Sequence, residues 1–191
     1  MATKHGPVVE TGLRSAFLRV VLGCALAGFS TGLLTVAFPP FGLWPVVFVA
    51  LVPMLLAQHF VLPRRLSSVA PALAVGTWLG LYLAPGLEHL SRFFRPGFGA
   101  PIVRLAMVSG IALLIFLLEL PSRRLHERTG YRWFMVSGSL VWVGQEMVRS
   151  LVPGVGTAGF LAYALAGEPW LIQPVRVLGI FGLGLLIALV N

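Results

Sequence analysis

The chain has few charged residues, and acidic residues are the scarcest of them. Only 10% of its 191 residues are charged, whereas a soluble domain carries about 25%. The sequence contains six Glu and no Asp, and its only Lys is Lys4. So little polar surface cannot cover a water-soluble protein, and no acidic cluster is present to hold Mg²⁺ or Ca²⁺. We expect neither a metal nor a cofactor.

Cysteine is also nearly absent. The single Cys24 excludes an internal disulfide and a cysteine-based metal cluster within one chain. The run Val21–Cys24 follows a basic N-terminus, as in lipoprotein processing sites. However, Arg19 leaves an apolar stretch shorter than the core of about 7–15 residues that a signal peptide needs. We interpret Cys24 as a small residue that faces the core.

Apolar residues dominate the chain. They make up 58% of it, and the mean hydropathy is +0.92. Apolar runs near the roughly 20 residues that cross a bilayer recur throughout. The predicted fold is all-α, a polytopic transmembrane helix bundle of about six spanning helices. Residues 1–15 are predicted as a cytoplasmic N-terminal tail and 16–191 as the transmembrane domain. The predicted helices cover about residues 18–38, 45–62, 66–87, 102–120, 133–152 and 170–191.

Basic residues predict the orientation. The formal net charge is +8, and the Arg residues lie singly or in short clusters between apolar runs, as in cytoplasmic loops of membrane proteins. We interpret this basicity as a sign of topology and not of nucleic-acid binding. A cytoplasmic N-terminus places most of these residues inside, including those of 121–132. The broken stretch 153–169 is predicted to be a surface-hugging or re-entrant element.

Glu146 and Arg149 are the candidate site residues. They lie three apart on one face of the fifth predicted helix, where ionisable groups normally pair or line a functional cavity. Two interpretations stay open. The residues form a structural ion pair, or Arg149 attracts a lipid phosphate that Glu146 orients, because a guanidinium suits phosphate geometry. The four His are scattered along the sequence and predicted to be interfacial polar residues at different ends of the bundle.

Proline and glycine predict one turn and two close contacts. Pro39 and Pro40 end the first helix because proline donates no backbone hydrogen bond. Trp44 follows in an interfacial turn, a position that Trp favours. Glycines four residues apart predict close packing of helix on helix. These pairs are Gly28 with Gly32 and Gly76 with Gly80.

Three stretches of the sequence carry a family resemblance. Leu34–Pro45 reads LTVAFPPFGLWP, and Leu140–Arg149 contains Leu-Val-Trp before the Glu and the Arg. Leu171–Asn191 begins Leu-Ile-Gln and continues with Gly-Ile-Phe-Gly. In these stretches the chain resembles the N-terminal membrane domain of the bacterial apolipoprotein N-acyltransferases. The resemblance extends over nearly the whole chain and is weakest from Glu88 to Arg132.

The resemblance implies an N-acyltransferase of the bacterial plasma (inner) membrane. Such an enzyme takes an acyl chain from a phospholipid donor, holds it as a thioester, and passes it to the N-terminal amine of a diacylglyceryl lipoprotein acceptor. In the family a Glu, a Lys and a Cys on a nitrilase-like domain do this work. Cys24 cannot be that nucleophile, because a thiolate within an apolar helix is not stabilised.

We therefore expect the membrane half of such an enzyme, truncated before its catalytic domain and inactive alone, with no catalytic residue in this chain. The alternative is a free-standing, non-catalytic membrane protein that binds lipid or a partner. A small transporter is a third interpretation. It is less favoured because only Glu146 and Arg149 resemble buried coupling groups and no internal repeat is visible.

Overall fold

A computed structural model describes residues 7–83, 100–151 and 156–191, without the side chains of 7–14 and 103. The first six residues, the predicted end of the third helix at 84–87, and residues 152–155 lie outside the described residues. So do His5 and His89. The described helices are α1 Pro7–Ala37, α2 Trp44–Val61, α3 Arg64–Leu83, α4 Ala100–Leu118, α5 Ser122–Arg128, α6 Phe134–Ser150 and α7 Val175–Val190, with a short 3-10 helix at Leu161–Leu165.

The described ranges contain helices and turns and no strand. Four helical stretches are long and apolar enough to cross a membrane: Ser15–Ala37 in α1, all of α2, all of α3, and Arg104–Arg128, which runs from α4 through α5. Helix α7 is apolar as well but has only 16 residues. The prediction of an all-α transmembrane bundle is confirmed.

Several boundaries differ from the predicted ones. Helix α1 begins at Pro7, within the predicted tail. Residues Ser122–Arg128 form helix α5, in a segment that none of the six predicted helices included. Helix α7 begins only at Val175, because Pro174 lies at its N-terminal cap and residues 170–174 form turns. The helix is kinked at Gly179, whose φ of 69° is not helical.

Residues 159–162, 164 and 165 of the broken stretch 153–169 are buried, whereas its described residues on either side are partly or fully exposed. Phe160 and Leu161 have no exposed surface, and Leu165 is 1% exposed. The 3-10 helix here has five residues, far short of the roughly 20 that cross a bilayer. Between Phe160 and the start of α7 the described chain therefore contains no helix long enough to cross a bilayer.

Helix α2 was predicted as continuous but is irregular. It starts as a 3-10 turn at Trp44–Phe48 and ends as a π turn at Ala57–Val61, with Pro53 near the middle. Side chains of other helices satisfy the backbone groups that these breaks release. The Ser30 hydroxyl accepts a hydrogen bond from the Met54 amide at 2.9 Å.

At the C-terminal end of α7, the Asn191 side chain bonds to the same irregular helix. Its oxygen accepts from the Leu51 amide at 2.9 Å, and its nitrogen donates to the Val47 carbonyl at 2.8 Å. Since lipid offers no hydrogen bonds, an irregular membrane helix needs such partners. The neighbouring helices supply them to α2.

The two glycine pairs differ in how closely another helix approaches them. A methyl group added at Gly76 would lie 2.5 Å from Cα of Ala112, and one added at Gly80 would lie 2.6 Å from Cα of Val108. The prediction of close packing is confirmed for this pair, which lets α3 contact the backbone of α4. It is wrong for Gly28 and Gly32, because no described atom lies within 4 Å of a methyl group placed there.

Candidate functional site

Glu146 is a fully buried acidic residue on the face of α6 that packs against α7. Its Oε1 accepts two hydrogen bonds, one from the Trp142 indole N–H and one from the Leu161 backbone N–H, both at 2.9 Å. Trp142 lies one helical turn earlier on the same face. Leu161 is the first residue of the 3-10 helix, so the carboxyl group attaches the buried loop to α6.

Arg149 extends the same attachment by one turn. Its Nη1 donates to the Ala158 carbonyl at 3.0 Å, and its Nη2 donates to the Gly159 carbonyl at 3.4 Å. The guanidinium also lies over the Phe160 ring, 5.3 Å from the centroid, in cation–π geometry. Together, Glu146 and Arg149 bind four consecutive residues of the loop, and we call this arrangement the Glu146–Arg149 clamp.

The two clamp residues do not form an ion pair with each other in the described structure. The second carboxyl oxygen of Glu146 instead faces α7, where a methyl group added at Gly184 would lie 3.1 Å from it. This oxygen has no hydrogen-bond partner among the described residues. The absence of a side chain at Gly184 therefore leaves space for the buried carboxyl group of Glu146.

The loop fits the clamp because of a glycine. Gly159 has a φ of 69°, a backbone conformation that other residues rarely adopt. A methyl group there would lie 2.8 Å from Leu79 and 3.4 Å from Nη1 of Arg149. The turn and the close approach of the guanidinium both favour glycine at this position.

The predicted interfacial turn lies at the same end of the bundle. Pro39 and Pro40 are exposed there and are joined by a cis peptide bond. Trp44 is half-buried and contacts Trp170 edge to face, with ring centroids 6.0 Å apart. Tyr82 connects the turn to the clamp, because it packs against Phe38 with centroids 5.5 Å apart and also lies beside Gly159. The structure thus places all five candidate residues around one end of the bundle.

A second polar cluster lies at the opposite end, and the sequence interpretation missed it. His59 and His126 were assigned to different ends, but their ring centroids are only 5.2 Å apart. They meet because the end of α2 packs beside α5, and Phe134 and Tyr131 pack against both rings. The two histidines are 67 positions apart in the sequence, so sequence spacing gives no signal that their rings meet.

Arg123 stabilises the end of α2 in this cluster. Its Nη1 donates to the Leu62 carbonyl at 2.6 Å and to the Gln58 carbonyl at 3.2 Å, while its Nε donates to Glu127 at 3.0 Å. Gln58 in turn donates to Glu119 at 2.9 Å. Pro63 ends α2, so the last backbone carbonyls of this helix need a hydrogen-bond donor from elsewhere in the chain. Pro63 is therefore the sequence signal that could have indicated a donor such as Arg123.

No metal site is visible in the parts of the chain that the structure describes. Groups of three or more His, Cys or Glu side chains suited to a metal are absent there. His59 and His126 are packed among aromatic rings. The chemistry that the described polar groups supply is hydrogen bonding and charge.

These features define a class of protein, an integral membrane protein built from apolar helices with a clamped loop at one end. Its sequence matches the family of the apolipoprotein N-acyltransferase N-terminal domain over residues 30–191. The chain belongs to this family, as the resemblance predicted.

A curated relative supports the assignment. The apolipoprotein N-acyltransferase of Geobacter metallireducens (strain ATCC 53774 / DSM 7210 / GS-15) is 30% identical over 167 residues. The match covers 87% of this chain and 32% of the relative, so the chain spans about a third of the length of that protein. No solved structure matches the chain significantly.

Proposed function

We propose that this chain is the membrane-embedded part of an apolipoprotein N-acyltransferase in the bacterial inner membrane. The whole enzyme would move an acyl chain from a phospholipid to the N-terminal amine of a diacylglyceryl-cysteine lipoprotein. The observation that carries the proposal is the family match over residues 30–191, together with the chain's coverage of about a third of a curated apolipoprotein N-acyltransferase.

In this proposal the chain supplies the membrane scaffold, and the catalytic groups belong to a domain beyond these residues. The family resemblance implies a Glu, a Lys and a Cys, and this sequence has one Lys and one Cys. Cys24 lies half-buried in the apolar helix α1. Apolar surroundings do not stabilise the thiolate form that a nucleophilic cysteine needs. We therefore expect residues 1–191 alone to transfer no acyl group.

The clamp has a structural role in this proposal. It orders residues 158–161 at the end of the bundle that also carries the Pro39–Pro40 turn and Trp44. Basic residues gather at the opposite end, where Arg64 and Arg123 both bind Glu127. This distribution supports a cytoplasmic N-terminus, because cytoplasmic ends are enriched in Lys and Arg. The clamp end would then face the periplasm.

A chimera tests the proposal. The region of the Geobacter metallireducens enzyme that matches this chain is replaced by the chain, and the product is purified in detergent. Transfer of a labelled acyl group from phospholipid to a diacylglyceryl peptide is then measured. We expect transfer by the chimera and none by the 191-residue chain. In the chimera, Arg149→Met should reduce the rate because the loop loses its attachment, whereas Arg132→Met, a control outside the clamp, should not.

The outcomes separate the hypotheses. Acyl transfer by the isolated chain would show that the scaffold role is wrong. A chimera that inserts and folds but transfers nothing would favour the alternative of a free-standing protein that binds lipid or a partner. Equal rates for Arg149→Met and Arg132→Met would exclude a role of the clamp in the reaction.

A further inference from the structure

A basic cavity lies at the end of the bundle opposite the clamp. It has a volume of about 200 Å³ and opens between the start of α3 and the segment that joins α4 to α5. Four of its seven lining residues are arginines. The lining residues are Arg64, Arg65, Ser67, Ser68, Leu120, Arg123 and Arg124.

The positive charge in this cavity is only partly neutralised. Glu127 pairs with both Arg64 and Arg123, so one carboxylate serves two guanidinium groups. Arg65 and Arg124 are exposed, and neither forms an ion pair with any described residue. An excess of positive charge remains, and an anion entering the cavity would find two guanidinium groups that form no ion pair within the described part of the chain.

A second cavity of about 400 Å³ adjoins the first. Leu120 and Arg124 line both cavities, and Pro121, Leu125 and Arg128 complete the second one. Three of these five residues are apolar. Arg128 is exposed and, like Arg124, has no ion pair within the described chain. The second cavity therefore combines an apolar lining with two guanidinium groups.

An exposed apolar strip leads to these cavities. Leu113 and Leu117 lie four residues apart on one face of α4, and Leu120 follows in the turn after the end of that helix. Their exposed fractions are 58%, 52% and 48%. The strip lies on a segment that is long and apolar enough to cross a membrane, so lipid acyl chains would surround it.

We propose that the two cavities bind an anionic phospholipid. The phosphate would lie among Arg65, Arg124 and Arg128, and one acyl chain would follow the leucine strip. Guanidinium groups match phosphate oxygens in geometry, and basic pockets at the ends of membrane helices favour anionic head groups. A zwitterionic lipid fits less well, because its ammonium group would add positive charge to a site that already has an excess.

This site differs from any acyl-donor site near the clamp, because it lies at the other end of the bundle. It does not depend on the proposed acyltransferase function. Bound lipid would anchor α5 and the start of α3 to the membrane surface through the head group.

Native mass spectrometry of the full chain tests the proposal. The protein is equilibrated in bilayer nanodiscs that contain equal amounts of phosphatidylglycerol and phosphatidylcholine of the same acyl chains, and lipids retained after release are counted. We expect preferential retention of phosphatidylglycerol. With about 1 kcal/mol for each basic residue near a membrane surface, Arg65→Gln combined with Arg124→Gln should weaken this preference about thirtyfold. Arg132→Gln is the matched control, since Arg132 is exposed in the same basic region but lines neither cavity.

Three results would overturn the proposal. The first is equal retention of the two lipids by the unmodified chain. The second is an equal loss of preference in Arg132→Gln, which would indicate a diffuse surface charge effect. The third is binding of inorganic phosphate to the lipid-free protein without any lipid preference, which would assign the cavity to a free anion. Helical content measured by circular dichroism verifies that the double variant is folded.

Discussion

Replacing Gly76 or Gly80 by alanine is expected to push α3 away from α4. The added methyl group would lie 2.5 Å from Cα of Ala112 or 2.6 Å from Cα of Val108, and ordinary contacts begin at 3.4 Å. The obstacle is backbone, which cannot rotate aside as a flexible side chain would. The two helices would therefore have to separate by about 1 Å at their crossing.

The magnitude follows from two opposing effects. Adding a methyl group to a packed contact costs about 1–3 kcal/mol. Replacing glycine by alanine within a helix also stabilises the helix by up to about 1 kcal/mol, because alanine loses less backbone entropy on folding. With the full offset, each single substitution should therefore lower the free energy of unfolding by up to about 2 kcal/mol. Since both glycines serve one crossing, the double variant should lose less than the sum of the single losses.

Reversible unfolding in mixed detergent micelles, followed by Trp fluorescence, measures these changes. Gly28→Ala and Gly32→Ala are the matched controls. They also lie four apart in a helix, but no described atom is within 4 Å of their added methyl groups. The controls should be neutral or slightly stabilising. If Gly76→Ala and Gly80→Ala behave as the controls do, the close crossing of α3 and α4 is refuted.

Three further predictions concern buried polar contacts. Glu146→Ala should lower the free energy of unfolding by about 1–3 kcal/mol, because it leaves the buried Leu161 amide without an acceptor, whereas Glu146→Gln should retain most of the stability. Asn191→Leu should lower the free energy of unfolding in the same assay by about 0.6 kcal/mol, and by no more than about 1.7 kcal/mol, the mean and the maximum for hydrogen bonds between membrane helices. Arg123→Met should accelerate hydrogen exchange at Ala57–Val61, because the last carbonyls of α2 lose their donor.

Each of these predictions has a clear opposing result. A Glu146→Ala variant as stable as the unmodified chain would mean that the Glu146 side chain does not hold the loop. An unchanged free energy of unfolding in Asn191→Leu would mean that the backbone of α2 is satisfied in another way. Exchange that rises equally in the control Arg132→Met would mean that charge, and not the Arg123 hydrogen bonds, protects the end of α2.

The sequence predicted four stretches that are long and apolar enough to span a membrane, because hydropathy depends on composition alone. The last two predicted spans correspond to α6 and α7, which have only 17 and 16 residues. The sequence predicted the irregularity of α2 poorly, although Pro45 and Pro53 both lie in that helix. A proline shows where a backbone hydrogen bond is lost but not what replaces it. Here Ser30 and Asn191 replace it from helices distant in sequence, so the partners appear only in the folded chain.

In the candidate site, too, the local arrangement could be predicted from the sequence, whereas the partners distant in sequence could not. The clustering of Glu146 and Arg149 on one face could be predicted from helical periodicity, and Trp142 follows from the same rule. The partners in residues 158–161 could not, because they depend on how a broken segment folds back into the bundle. Glycine spacing has a similar limit, since it identifies a face that permits close approach without identifying a neighbour.

The irregular backbone of α2 also has a consequence for biogenesis. A regular transmembrane helix is satisfied by its own hydrogen bonds and can insert before it meets other helices. Helix α2 needs Ser30 from α1, which is synthesised before it, and Asn191, which is synthesised 140 residues after Leu51. Its final conformation must therefore wait until the last described helix has entered the membrane. Maturation of this domain should be a late, concerted event, and a chain released before α7 should expose α2 to the quality-control proteases of the membrane.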